Sequence, residues 1–326
     1  MKELYHYCSA EKAFNILKSR TIIMSDIEKT NDYRELSLFF PKIFDYIEFL
    51  YMQKPFRLKY DLKVNEEALM EILDVSYRYW RKRFESGEFS NYVLCFSEVQ
   101  DSLSQWRGYA NNANGYCLGF DFEEIISYCN KTNGVIRLEQ VIYLEEIGID
   151  RVIRDAAKDI LYELKGLRKW IATNMTHDDK EPDTDGLMLF YFDGMLEKVF
   201  TESLKYKSYD FHEEREWRMF FSHPVCKESH NILKRTRKFE KNALFLRDKI
   251  DFQVTENDII SFCPIDFDEF SDTMLTSICI GPENRTREQD MKLFLKSNGY
   301  EKAEIRFFES FISVNIESLK MSLLYR

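Results

Sequence analysis

Residues 213–221 read Glu-Glu-Arg-Glu-Trp-Arg-Met-Phe-Phe, and this is the most informative stretch of the chain. Its charged and apolar residues alternate and end in aromatics, a pattern typical of a half-buried strand. On such a strand Glu214, Glu216 and Arg218 project from one face. Two like charges on one face cost stability unless Arg218, another cation or a ligand hydroxyl compensates them. The stretch is therefore either part of a functional site or a surface strand with an internal salt bridge, and both interpretations stay open.

The remaining strand-like runs are spread over the whole chain. They lie at 4–7, 21–24, 92–96, 115–120, 135–144, 259–263, 277–280 and 304–308. Helical periodicity gathers in two stretches between them, at about 35–88 and 149–205. Because no Pro-, Gly- or Ser-rich linker separates these parts, we predict one α+β domain over 1–326. Its mixed, largely antiparallel β core carries the two helical stretches as insertions.

Composition narrows the class of protein. The net charge of -10 argues against a protein that coats nucleic acid through its overall field. The seven cysteines are scattered and form no CxxC pair, so we expect reduced thiols and no metal. No run of about 18 apolar residues occurs, and the first residues lack an apolar signal region. We therefore expect a cytoplasmic protein with no membrane partner.

An ordered set of motifs resembles a known family. The motifs are Tyr5-His6-Tyr7, Asn31-Asp32, 95–98, 106–110, 115–120, Lys207 and 214–218. In this order, from about Leu4 to Gly281-Pro282, they resemble the bacterial domain-of-unknown-function family numbered 2971. More distantly, the chain resembles the ADP-ribosyltransferase fold, which implies a similar β core.

The distant resemblance implies a set of catalytic roles. In that fold an N-terminal strand carries His or Arg, a middle element Tyr or Ser, and a late strand Glu, which implies His6, Ser97 or Tyr109, and Glu216 here. Cleavage of NAD forms an oxocarbenium-like ribose, and a carboxylate bonded to a ribose hydroxyl stabilises it, a role that we assign to Glu216. Glu214 would orient or deprotonate the acceptor, and His6 would donate a hydrogen bond to a ribose of NAD.

The candidate NAD-binding residues have structural alternatives. They are Ser97, Trp106, Tyr109, Arg218, Lys207, Tyr7 and Asn31. Trp106 or Tyr109 would stack on the nicotinamide ring, and Lys207 and Arg218 would contact the diphosphate. Alternatively, the two aromatics are core on a helix face, the two cations only neutralise the glutamates, and Ser97 and Asn31 are backbone caps.

Two functions follow as hypotheses. The first is an NAD-cleaving, ADP-ribosyltransferase-like effector of toxin or phage-defence type, with NAD as substrate and a protein, a nucleic acid or water as acceptor. An antitoxin or another defence protein would be its partner. The alternative is a non-catalytic nucleotide-sensing or protein-binding adaptor in a bacterial defence system. An open pocket lined by Glu214, Glu216 and His6 would favour catalysis, and full pairing of the glutamates with Arg218 and Lys207 would favour the adaptor.

Overall fold

The glutamate-bearing stretch forms a long strand, Glu216–Pro224, in a computed structural model of the protein. The structure describes residues 2–29, 42–47, 49–50, 74–75, 78, 89–132, 135–174, 203–224, 249–254, 258–266 and 273–308. The strands of this part are β1 (Glu3–Cys8), β2 (Thr21–Asp26), β3 (Phe89–Ser97), β4 (Tyr116–Asp121), β5 (Ile136–Gln140), β6 (Ile142–Leu144), β7 (Tyr206–Ser208), β8 (Glu216–Pro224), β9 (Asp251–Val254), β10 (Ile259–Asp266), β11 (Leu275–Ile280) and β12 (Glu304–Phe307). The longer helices are α1 (Ala10–Ser19), α2 (Leu103–Gly108), α3 (Phe122–Lys131), α4 (Glu146–Asn174) and α5 (Glu288–Ser297).

Ten of these strands form one sheet. Its main order is β12-β11-β4-β1-β3-β2-β10-β9, with β8 paired to β3 and β5 paired to β8. All of its pairs are antiparallel except β11 with β12, and β6 and β7 form a separate parallel pair. The predicted α+β class with a largely antiparallel core is therefore confirmed.

Strand β3 pairs with three strands, and two of them share one of its edges. A gap in the sheet lies between those two strands. Strand β8 occupies one edge of β3 along its whole length. On the other edge, β2 pairs only at Tyr92 and Val93, and β1 pairs only at Ser97. Between these points β1 and β2 diverge from β3, and the His6 imidazole, rather than a strand amide, donates to the Cys95 carbonyl (Nδ1 to O, 3.0 Å).

Side chains are packed on both faces of the sheet because successive strand residues point to opposite faces. One face carries the larger core, in which Leu118 and Phe120 pack with Leu17 of α1 and Ile125 of α3. The opposite face carries a smaller core built from Tyr5, Tyr7, Trp106, Ala110, Ala113, Cys117 and Cys279. The loop that follows α2 therefore packs against the middle of the sheet.

Several predicted elements need correction. The run 135–144 is two strands, because Val141 donates to the Glu216 carbonyl (2.9 Å) and Ile142 then turns to the Lys205 carbonyl (2.8 Å). Glu214 does not lie on the strand. It ends a 3-10 turn, Tyr209–Glu214, and Arg215 follows with a left-handed φ of 43°.

The helical insertions are described only in part. Helix α4 begins three residues before the second insertion and continues within it, and residues 42–47 are helical within the first. The rest of both falls largely outside the described residues, so the single-domain organisation stays a prediction. In the part of the chain that the structure covers, no helix has both the length and the apolar character to cross a bilayer.

We expect Gly281→Ala to destabilise the protein by roughly 1–3 kcal/mol, because overpacking against rigid backbone is costly. A Cβ at Gly281 would lie 2.3 Å from the Ala113 carbonyl oxygen and 2.9 Å from that of Gly115. Gly108→Ala is the matched control, since a Cβ there meets nothing within 4 Å. Urea unfolding of both variants measures the effect. Equal stabilities would contradict the close packing of the loop after α2 on β11.

Candidate functional site

Two carboxylates and two cations form a buried network at the start of β8. Glu216 Oε1 accepts from Arg218 Nε (2.8 Å), and Glu216 Oε2 accepts from Arg218 Nη2 (3.3 Å) and from Lys207 Nζ (3.1 Å). Lys207 Nζ also donates to Glu214 Oε2 (2.7 Å). Arg218 Nη1 donates to the Leu204 carbonyl (2.9 Å). Lys207 therefore bridges the two glutamates.

Three separate elements bring these groups together. Glu216 and Arg218 stand two residues apart on β8 and share a face, as the alternation predicts. Glu214 comes from the preceding 3-10 turn, and Lys207 comes from β7. The left-handed Arg215 lets the chain pass from that turn into the strand. The predicted grouping of charges thus exists. Of its two carboxylates, only that of Glu216 lies on the strand, as the alternation predicts, and that of Glu214 comes from the turn before it.

The network keeps Glu216 ionised. Burial alone would raise the pKa of this carboxyl group, but Arg218 and Lys207 outweigh burial and hold the pKa at about 2. Two negative and two positive side chains also balance in number. This balance matters because an uncompensated buried charge is strongly destabilising.

A cavity of about 510 Å³ lies where β1 and β2 diverge from β3. Its walls include Glu214, Glu216, Tyr109 and Gln105, residues of the three strands, and part of α1. His6 lines the same cavity. Both features that were expected to discriminate between the two functions therefore occur together, since the glutamates line a pocket with His6 and are also ion-paired.

His6 is neutral and has its proton on Nδ1. Burial is the main cause that lowers its pKa, to about 4, and Lys12 contributes in the same direction. Because the Cys95 carbonyl can only accept, Nδ1 carries the hydrogen, and Nε2 is left as an acceptor. The contact of His6 with a ribose stays a prediction, and in this tautomer Nε2 would accept from the ribose hydroxyl rather than donate to it.

The strand registers place His6 and Glu216 on opposite faces. Tyr5 pairs with Ser97, and Ser97 pairs with Glu216, so these three residues share one face. His6, next to Tyr5, points to the other face. Both His6 and Glu216 line the cavity because it opens at the gap in the sheet.

Two of the predicted NAD-binding residues line the cavity. Tyr109 donates its hydroxyl to Glu214 Oε1 (3.2 Å). The Tyr7 hydroxyl donates to the Val99 carbonyl (2.8 Å) and accepts from the Ser102 amide (3.0 Å). Only the ring of Tyr7 is thus suited to contact a ligand. The binding roles of Tyr7 and Tyr109 stay predictions.

Two others have internal roles. Ser97 donates to the Glu214 carbonyl (2.7 Å) and accepts from the Val99 amide (3.1 Å), as a cap would. Trp106 is 1% exposed and donates Nε1 to Asp101 Oδ1 (2.7 Å). Neither residue is among those that line the cavity. The structural alternative describes both side chains.

The two cations predicted to hold a diphosphate form ion pairs with glutamates instead. Lys207 and Arg218 are each 1% exposed, contact the glutamates, and do not line the cavity. The cation that does line it within the described residues is Lys12, in the first turn of α1. Asn31 lies outside the described residues.

Sequence reasoning missed four residues that shape the site. Lys12 and Gln105 line the cavity, as does Tyr5, and the Tyr143 hydroxyl accepts from the Glu216 amide (2.7 Å). One signal was present in the sequence: Gln105 precedes Tyr109 by four residues, which is one helical turn. The others depend on tertiary contacts.

No metal site is evident in the part of the chain that can be described. Within those ranges, no three His, Cys, Asp or Glu side chains come together in a way that could hold an ion. The expected absence of a metal stays a prediction.

The comparisons with known proteins give one match. Residues 105–219 match a family described as "Protein of unknown function (DUF2971)". The predicted resemblance to this family is thereby confirmed over about a third of the chain, a segment that contains Gln105, Tyr109, Lys207, Glu214 and Glu216. No curated protein and no solved structure matches the chain. The likeness to ADP-ribosyltransferases stays a prediction.

We expect Glu216→Gln to lower the free energy of unfolding by about 3–5 kcal/mol, because it leaves buried Arg218 and Lys207 with one carboxylate. The matched control is Glu213→Gln, which changes an exposed glutamate three residues away. That control should stay within about 0.5 kcal/mol of the wild type. Urea unfolding at pH 7 measures all three proteins, and a small cost for Glu216→Gln would show that the network is dispensable.

We expect His6 to make stability depend on pH between about 6.5 and 4. Its folded-state pKa of about 4 lies below the ordinary 6.5, so the unfolded chain binds the proton first and stability is lost as pH falls through this window. The loss should reach roughly 1–2 kcal/mol at pH 5.

The matched variant is His6→Gln, whose amide can still donate to the Cys95 carbonyl but does not titrate. Urea unfolding at pH 7 and pH 5 should give a smaller difference for this variant than for the wild type. Equal differences in the two proteins would contradict the assignment.

Proposed function

We propose that this chain binds NAD in the cavity, cleaves the bond between nicotinamide and ribose, and passes ADP-ribose to a macromolecule or to water. One observation carries the proposal. The ion-paired carboxylates of Glu214 and Glu216 line the same cavity, of about 510 Å³, as the neutral imidazole of His6. Pockets for small molecules and cofactors are typically about 300–1,000 Å³, so the cavity suits a ligand of this class.

The proposed reaction needs an anionic group beside the ribose. When the C1′–N bond breaks, the pyridinium nitrogen keeps the electron pair and leaves as neutral nicotinamide. The ribose then carries oxocarbenium character, which a nearby carboxylate stabilises more than it stabilises the ground state. Finally the acceptor oxygen or nitrogen bonds C1′ and releases its proton to water. Glycosidic hydrolysis commonly uses carboxylates in this way.

The carboxylates of Glu214 and Glu216 differ in how accessible they are from the cavity, and we therefore give them different roles. Both oxygens of Glu216 are bonded to Arg218 or Lys207, and its side chain is 5% exposed. The Glu214 side chain is 11% exposed and bonds Tyr109 at the cavity wall. We therefore assign the ribose contact to Glu214, and we assign to Glu216 the positioning of Lys207 and hence of Glu214. The ribose contact therefore moves from Glu216, to which the resemblance assigned it, to Glu214.

Lys12 supplies the cation that a dinucleotide needs. Among the described residues no carboxylate forms an ion pair with it, whereas Lys207 and Arg218 are bound to glutamates. Its ammonium group at the cavity wall therefore suits the NAD diphosphate. A toxin or phage-defence setting, with an antitoxin or another defence protein as partner, belongs to this proposal through the family resemblance alone.

A second candidate is a non-catalytic adaptor that binds a nucleotide in the same cavity. The observation in its favour is the complete pairing of Glu216, which is what a structural network requires. In this case Glu214 and Lys12 would bind the nucleotide without cleaving it. The same assay separates the two candidates.

We expect the purified protein to release nicotinamide from NAD, with or without cell lysate as a source of acceptors. Glu214→Gln should lower the rate by about 100-fold or more, because the transition-state charge loses its counter-ion. Glu213→Gln, which changes the adjacent exposed glutamate, should leave the rate unchanged. Chromatographic nicotinamide release is the measurement, and circular dichroism verifies folding.

The opposite results are equally informative. If the folded wild type binds NAD in calorimetry yet releases no nicotinamide in either condition, the adaptor replaces the enzyme. If release occurs and Glu214→Gln matches the wild type, cleavage stands and the assignment of Glu214 is wrong.

A further inference from the structure

Gln105 presents an unpaired amide to the cavity. The residue lies on α2, is 7% exposed and lines the cavity wall. Over the described ranges, its side-chain amide forms no hydrogen bond. By contrast, Gln100 donates to Cys279 Sγ (3.1 Å) and Gln140 donates to Glu98 Oε1 (2.9 Å). An amide that faces a cavity and has no partner among the described residues is available to donate to a ligand and to accept from it.

Gln105 lines the same cavity as the proposed reaction centre and is connected to it through Tyr109. Gln105 and Tyr109 are one helical turn apart, and the Tyr109 amide donates to the Gln105 carbonyl (3.0 Å). The Tyr109 hydroxyl reaches Glu214 Oε1 (3.2 Å). One turn of helix is about 5.4 Å, so Gln105 approaches the cavity beside the carboxylate that we assign to the ribose. In the proposed binding mode, the base attached to that ribose is therefore the group that we place against Gln105.

We propose that Gln105 recognises the carboxamide of nicotinamide and makes the pocket selective for nicotinamide over nicotinic acid. The Gln105 N–H donates to the carboxamide oxygen, and the Gln105 oxygen accepts from the carboxamide N–H. Each amide satisfies the donor and the acceptor of the other. The inference rests on the proposed function, because that function places the nicotinamide ribose at Glu214.

A carboxylate in place of the carboxamide is rejected for two reasons. It has no hydrogen to offer the Gln105 oxygen, which would stay unpaired and buried. It also brings a negative charge towards Glu214 and Glu216, and like charges in a shared site repel. Sites built to hydrogen-bond a substrate group discriminate strongly against analogues that lack it.

The test compares two dinucleotides on the full chain. Calorimetry in the cold measures the binding of NAD and of nicotinic acid adenine dinucleotide to the wild type, Gln105→Met and the control Gln140→Met. We expect the wild type and Gln140→Met to prefer NAD by at least tenfold. Gln105→Met, similar in length but without hydrogen-bonding groups, should bring the ratio close to one. Where cleavage occurs, the loss should appear mainly in KM.

ADP-ribose is the internal control, because it keeps the diphosphate and the adenine but lacks nicotinamide. Its affinity should be the same in the wild type and in Gln105→Met. Adenine also offers an adjacent donor and acceptor that glutamine can bind. If Gln105→Met weakens ADP-ribose as much as NAD, Gln105 reads another part of the ligand and the inference is overturned. Gln105→Glu, nearly isosteric, repeats the test if Gln105→Met does not fold, and it should bind NAD at least tenfold more weakly.

Failure of this inference can be told apart from failure of the proposed function. Nicotinamide release together with an unchanged dinucleotide ratio in Gln105→Met overturns the inference and leaves cleavage standing. Gln105-dependent preference for NAD without release supports the inference and overturns cleavage. A wild type that binds both dinucleotides equally, or neither, overturns the inference.

Discussion

The buried contact of Lys207 with Glu214 and Glu216 is the interaction on which the site depends. Burying one charge without a partner is costly, so the four charged groups of the network are stable only together. Their pairing ties β7, the 3-10 turn and the first residue of β8 to one point. The network therefore fixes the position at which β8 begins. This position is consistent with the register of β8 on β3 and β5.

The gap in the sheet is the second constraint. Wherever strands diverge, backbone groups lose their ladder partners, and buried groups of this kind must be satisfied in another way. At Cys95 the His6 imidazole supplies the missing donor. The cavity therefore exists without leaving that carbonyl unpaired, and the tautomer that His6 must adopt turns its second nitrogen into an acceptor.

Stability and the proposed chemistry use the same groups in different ways. Arg218 and Lys207 hold Glu216 ionised, and the same lysine anchors the more accessible Glu214. A carboxylate that is fixed and kept negative before the substrate arrives needs little reorganisation when positive charge develops on a ribose. Gln105 differs from these residues, because its amide has no role in the internal network, and we propose that it binds a ligand in the cavity.

The sequence alone was enough to predict the α+β class, most strands, and the shared face of Glu216 and Arg218, because strand alternation is local. The motif order from about Leu4 to Pro282 likewise indicated the family whose model matches residues 105–219. Only the tertiary structure decided that Glu214 leaves the strand, that Lys207 bridges both glutamates, and that Gln105 rather than Trp106 faces the cavity. These outcomes depend on contacts such as that between Tyr109 and Glu214, 105 residues apart in the chain. Linear spacing does not encode them, since packing determines which side chains meet.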